Sequence, residues 1–173
     1  MPGIAGHFSN GDIMVRLARL EEFDDIWEIY LEARQFMRDT GNPNQWGDFS
    51  PTTQMLKNDI ELQRLYVVER EGRLCGSFMF AIGPDPWYAV IDNGAWKNDT
   101  PYGVLHRVAA KTKEKGVFRE CMDFALSKIR HLRIDTHEEN KVMQHVLNKN
   151  GFVFCGTVYM DNGEPRIAFE YVE

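Results

Sequence analysis

The chain has 173 residues, 43% of them hydrophobic and 27% charged, with a formal net charge of −6. That is enough apolar material for one domain with its own core, and it excludes an intrinsically disordered chain. No run approaches the roughly 20 consecutive apolar residues of a membrane helix, and the acidic balance argues against a general nucleic-acid binder.

Residues 1–13 have neither a basic start nor a long apolar stretch, so no secretory signal is expected there. They read as an N-terminal arm or an expression remnant ahead of a single domain over 14–173. Met14 to Leu17 reads as a first strand. Apolar residues then recur at three- and four-residue steps (Leu20, Phe23, Ile26, Trp27, Tyr30, Leu31, Met37), which predicts an amphipathic helix over 21–38, stopped by Gly41 and Pro43. Asn42 to Thr53 is loop-like, and a second helix is expected from Thr53 to Gln63.

Leu65–Glu69 and Leu74–Ile82 form a predicted hairpin around Arg70-Glu71-Gly72-Arg73. Gly83 to Thr100 is a long connection carrying Trp87, Tyr88 and Trp96; long loops rich in aromatics tend to serve function. A strand over Val104–Ala110 follows, then a helix presenting Val117, Cys121, Phe124 and Ala125, then a buried strand over 132–136. Thr136 and Glu139 have the spacing of a capping box for a helix running to Lys149, closed by Asn150-Gly151. Two last strands, 152–160 and 166–172, flank Asp161-Asn162-Gly163-Glu164, a strong hairpin signal. The order implies an α/β (α+β) domain: a mixed central sheet of about seven strands flanked by helices on both faces.

Cys75, Cys121 and Cys155 are widely separated and odd in number, which is the pattern of reduced thiols in a cytoplasmic protein. No metal site is expected. There is no CxxC pair, and Lys141 stands where an HExxH motif starting at His137 needs its second histidine.

Charge is uneven along the chain. Between Arg107 and Arg119 five basic residues accompany a single acid, Glu114, so the remainder is more acidic than the net value. Within this island, Lys113-Glu114-Lys115-Gly116-Val117-Phe118-Arg119 joins a strand to a helix. Free N–H groups and the positive end of the helix dipole at such a junction suit a phosphate. Neither GxxxxGK[ST] nor GxGxxG is present. Taken alone, the segment reads as a solvated basic helix start.

Its place among the other motifs changes that reading. Val108-Ala109-Ala110, then Lys113 to Val117, then Leu132 to Asn140, then Asn150-Gly151-Phe152 together resemble the GNAT superfamily of N-acetyltransferases. The first half is similar to a set of small members through Gln45-Trp46, Asp92 to Trp96 and His106-Arg107. Three positions depart from the family pattern. Lys113 replaces Gln or Arg, Phe118 replaces Gly or Ala, and Leu147 replaces the tyrosine that often protonates the leaving thiolate.

The resemblance implies acetyl-CoA as cofactor, held in a gap where the fourth and fifth strands, Val104–Ala110 and Leu132–His137, splay apart. Val108 and Ala110 would offer backbone groups. Lys113, Lys115, Gly116, Val117, Phe118 and Arg119 would surround the pyrophosphate, and Asn140 would touch the cofactor arm. The acceptor is expected to be a small-molecule or peptide amine that must lose a proton before attack.

Candidate catalytic bases are His106, Asp135 and His137. Strand alternation puts His106 on one face with Val108 and Ala110, opposite Arg107. Either histidine is equally open to a structural role, and Asp135 to capping the next helix. Trp46, Trp96 and Tyr102, with Trp87, are candidates for the acceptor pocket, where aromatic faces suit a cation. The alternative function is a non-catalytic acyl-CoA-binding module or sensor. Exposed strands near the C-terminus suggest a homodimer.

Overall fold

A computed structural model of the chain describes residues 7–9 and 12–173; residues 1–6 and 10–11 of the expected arm lie outside them. The described strands are β1 (His7–Ser9), β2 (Ile13–Leu17), β3 (Leu65–Arg70), β4 (Arg73–Ile82), β5 (Gly103–Ala110), β6 (His131–Thr136), β7 (Val153–Tyr159) and β8 (Pro165–Val172). The helices are α1 (Phe23–Asp39), α2 (Thr53–Glu61), α3 (Val117–Leu126) and α4 (Lys141–Lys149). All strands lie in one mixed sheet of order β1-β2-β3-β4-β5-β6-β8-β7, in which only β5 and β6 run parallel. The three-residue β1, paired with β2, adds an eighth strand to the seven expected.

Alternation along β3 shows how the layers are built. Leu65 and Val67 face α1 and α2, packing with Ile26, Ile29, Tyr30 and Leu56, all fully buried. Val68 faces the opposite side, where α3 supplies Val117, Cys121 and Phe124 to the larger core cluster. Each such aliphatic or aromatic side chain contributes roughly 1.5–3 kcal/mol by leaving water. A third cluster forms where Tyr88, Trp87 and Trp96 of the long 83–102 connection cover Val104, Val158 and Ala168.

Two local readings need correction. Helix α4 begins at Lys141 rather than near Thr136, because Asn140 is its N-cap, its Oδ1 accepting the Met143 N–H at 2.9 Å. Thr136 instead directs its hydroxyl to Gln45 Oε1 at 3.3 Å, and residues 137–140 make a turn closed by Asn140 N–H to the His137 carbonyl.

The second correction is on β5, where the side-chain alternation does not hold. Met79 pairs with His106 and Ser77 with Ala109, so the register slips, and Arg107 adopts a φ of 50°. This is a β-bulge, which turns the following side chains over. Val108 and Ala110 pack with Leu105 toward α3, while Ala109 faces α1. Hence His106 does not share a continuous face with Val108 and Ala110.

The bulge is held from beneath. Arg107 Nε and Nη2 reach Asp59 Oδ2 on α2 at 2.8 and 2.7 Å, and Arg64 Nε reaches Oδ1 at 2.8 Å. The fully buried Tyr30 hydroxyl donates to the Arg107 carbonyl at 2.7 Å. Left-handed backbone at a residue with a Cβ costs on the order of 1–2 kcal/mol, so these contacts must outweigh it. Asp59 retains 1% of its surface, so Asp59→Ala leaves two guanidinium groups without their shared carboxylate. A loss of about 3 kcal/mol in urea-denaturation stability is expected; a loss below about 1 kcal/mol would show that the bulge stands without this pin.

Candidate functional site

The parallel β5–β6 ladder is short. Among the described residues only Gly103 pairs with Leu132 and Val104 with Arg133; beyond them the strands part and no described strand lies beside the β5 edge. Two cavities open along the parting. One of about 200 Å³ lies between the C-terminal part of α1, the end of β5 and α4. The other, of about 570 Å³, lies beneath the α1–α2 loop, the 83–102 connection and the β7–β8 turn. Met37, Val108, Asn140 and Met143 line both, so the two adjoin at the gap.

The smaller cavity contains four of the nine residues expected to hold the cofactor. Val108, Ala110, Phe118 and Asn140 line it. Phe118 does not plug the gap; it is 9% exposed and its ring lies 6.0 Å from Phe152 in the core. Asn140 donates from Nδ2 to Gln45 Oε1 at 2.8 Å.

At the outer end, Gly116 is the N-cap of α3 with φ 74°, and no atom lies closer than 3.8 Å to where a Cβ would stand. Val117 is buried against β4, where Gly76 leaves no room for a side chain: a Cβ there would come within 2.5 Å of Val117 Cγ1. Lys113, Lys115 and Arg119 are exposed. Arg119 pairs with Asp123 at 2.9 Å. The acid in the loop is neutralised from the neighbouring hairpin, since Glu114 receives Arg70 at 3.1 Å and Arg73 at 2.7 Å, which hold its carboxyl below the ordinary range. Those two arginines were not singled out in the sequence, because a hairpin turn gives no sign of which loop it will meet.

In the larger cavity His106, Asp135 and Trp46 come together with Trp87. His106 Nε2 lies 2.7 Å from Asp85 Oδ2, and its Nδ1 3.8 Å from Asp135 Oδ2. A carboxylate can only accept, so Nε2 carries a proton and Nδ1 is the nitrogen available to take another. Burial alone would raise the Asp85 carboxyl, but the His106 hydrogen bond and charge outweigh it and hold it below the ordinary value. Tyr88 donates its hydroxyl to Asp135 Oδ2 at 2.7 Å, and burial, with Asp135 beside it, pushes the Tyr88 hydroxyl well above the usual tyrosine range.

Asp85 was missed in the sequence. It is separated from His106 by the whole loop, and the only local sign was its place ahead of Pro86 and the two aromatics. The structure keeps the remaining candidates out of the cavity lining. His137 accepts the Glu139 N–H at its Nδ1 at 3.0 Å. Tyr102 accepts the Asp85 backbone N–H at 2.8 Å, and Trp96 donates to the Tyr88 carbonyl at 3.0 Å. Both rings sandwich the Arg133 guanidinium, each 4.1 Å away. They support the loop that carries Asp85 and Tyr88.

Because Asp85 is anionic through a contact that the unfolded chain lacks, its stabilisation is complete above the ordinary carboxylate pKa of about 4 and fades as pH falls through its lowered folded value. Asp85→Asn is therefore expected to flatten the loss of stability below about pH 4, read as urea midpoints over a pH series. An unchanged acid limb would show that the pair adds no pH-dependent stability.

Neither a protein-family model nor a curated protein sequence matches the chain. Solved structures do. A GNAT-family acetyltransferase from Streptococcus agalactiae superposes with a TM-score of 0.87 and 29% identity, over 96% of this chain and 99% of that one. A GNAT-family acetyltransferase from Listeria monocytogenes gives 0.69 at 18% identity, over 97% and 99%. A ribosomal-protein-S5-alanine acetyltransferase from Vibrio fischeri gives 0.57 at 16%, over 95% of each chain, and shares the fold. Two strands that part beside a glycine-capped helix, together with this likeness over nearly the whole length, give the chain the fold of the GNAT-family acetyltransferases.

Proposed function

We propose that the chain is an acetyl-CoA-dependent N-acetyltransferase that acetylates a primary amine by direct attack on the thioester. The observation that carries this reading is the junction of the two cavities at the point where β5 leaves β6, with His106 and Asp135 beside it. Acetyl-CoA supplies an acetyl group activated as a thioester. The unpaired β5 edge at Val108 and Ala110, the Gly116 turn and the cations of Lys113, Lys115 and Arg119 fit a molecule with amide and pyrophosphate groups, and the open wall beside Phe118 admits it.

Asp85 orients His106 through Nε2, which leaves Nδ1 to accept a proton from the acceptor ammonium. Asp135 favours the cation that arrives. The freed amine nitrogen forms the new bond to the acetyl carbon as the carbon–sulfur bond breaks. The second nitrogen proton leaves with the sulfur. A thiol has a reference pKa near 8.5, so it departs readily without a dedicated acid. That matters here because Leu147 is fully buried and, among the described residues, no tyrosine lines either cavity.

Leu147 also favours a second reading, a non-catalytic acyl-CoA-binding module. The two readings differ in one assay, thiol release from acetyl-CoA across a panel of primary amines. Release is expected; CoA binding with no release on any amine would select the binding module. His106→Ala is expected to lower kcat by about 10²–10⁴-fold with CoA affinity retained, and equal turnover would remove His106 as the base. Gly116→Asp places a carboxylate and a strained left-handed residue at the phosphate turn. It is expected to weaken CoA binding at least about tenfold, measured by calorimetry.

A further inference from the structure

The charged groups lining the larger cavity divide into matched and unmatched. Arg166 faces Glu164 at 3.4 Å, and Arg107 is committed to Asp59. Asp135 and Asp161 have only neutral donors: the Tyr88 hydroxyl at 2.7 Å for the first and the Trp87 indole N–H at 2.7 Å for the second. The Asp135 side chain keeps 8% of its surface and lines the cavity. Its closest basic group, His106 Nδ1, is 3.8 Å away. A carboxylate largely shielded from bulk water, with only a neutral hydroxyl donor, favours a cation that enters the cavity.

Trp87 connects the two acids. Its ring lies 5.6 Å from the His106 ring, inclined at 70°, and its Nε1 reaches Asp161 in the β7–β8 turn. The indole thus spans the distance from the proton-accepting end of the cavity to the exposed second carboxylate. Met55 and Met160 line the same cavity and offer soft apolar surface. One anion at each end and an aromatic with thioethers between them complement an aliphatic chain bearing two positive charges.

We propose that the acceptor is a linear diamine or polyamine. Its reacting ammonium sits between Asp135 and His106, its methylenes cross Trp87, and its second ammonium meets Asp161. The proposal rests on reading this cavity as the acceptor site of an amine acetyltransferase, and the test separates the two.

Putrescine and n-butylamine have the same carbon chain and differ by one ammonium. In thiol release from acetyl-CoA by the full chain, the KM for putrescine is expected to be at least about tenfold below that for butylamine. Asp161→Asn is expected to remove most of that advantage and Asp161→Glu to keep it, with melting midpoints confirming that both variants fold. Equal KM values for the two amines, or an advantage that persists in Asp161→Asn, overturn the dication while turnover itself upholds the amine reading. Turnover of peptide amines with neither putrescine nor butylamine accepted also overturns the dication alone. No release with any amine, in protein that binds CoA, overturns both.

Discussion

The site depends on a fault in one strand. Were β5 regular, its edge could continue pairing with β6 past Val104, and its side chains would alternate without interruption. The bulge at Arg107 changes the course of the strand where the parallel ladder ends. What makes that geometry stable lies outside the sheet: the Asp59 carboxylate on α2 and the Tyr30 hydroxyl on α1 hold the side chain and the carbonyl of the left-handed Arg107. The two helices on that face thus hold the bulge open as well as covering the core.

A second support fixes the loop over the opening. The 83–102 connection has only a short 3₁₀ turn at Pro86–Tyr88 and a single bridge from Asp92 to Thr157, so its order comes from side chains. Arg133 of β6 passes between Trp96 and Tyr102 and donates to the Asn98 carbonyl at 2.7 Å. Beside it the buried Glu170 of β8 accepts the Lys97 N–H at 2.6 Å and meets His131 Nε2 at 3.0 Å. A stacked guanidinium and a buried carboxylate with several donors are strong, directional restraints. They keep Asp85 and Tyr88, which cap and close that 3₁₀ turn, against His106 and Asp135.

Much of the fold was legible because it rests on short-range pattern. The i, i+3, i+4 spacing from Phe23 to Met37 marks α1, and Asp161-Asn162-Gly163 marks the last hairpin; both depend on residues within a turn of one another. The misreadings have the same origin in reverse. Thr136 and Glu139 satisfy a capping box, yet Gln45, about ninety positions away, takes the threonine hydroxyl and the asparagine amide, and the helix starts at Asn140. The alternation on β5 holds only for a regular strand. Arg107 carries no local sign of a positive φ, because the groups that stabilise it lie on helices far back in the chain.

The site shows the same division. Sequence alone determined the chemical inventory: a basic turn before a helix with a glycine at its cap, a histidine and an aspartate on successive strands, and tryptophans on loops. These follow from residue type and near-neighbour order. Only the tertiary structure decided which of them meet. It brought Asp85 to His106 and Trp87 to Asp161. It turned Trp96 and Tyr102 onto Arg133, and it engaged His137 in a turn outside the cavity lining. The physical reason is range. Propensity and periodicity act over a few residues, whereas a cavity is enclosed by side chains from segments brought together by the burial of the whole core.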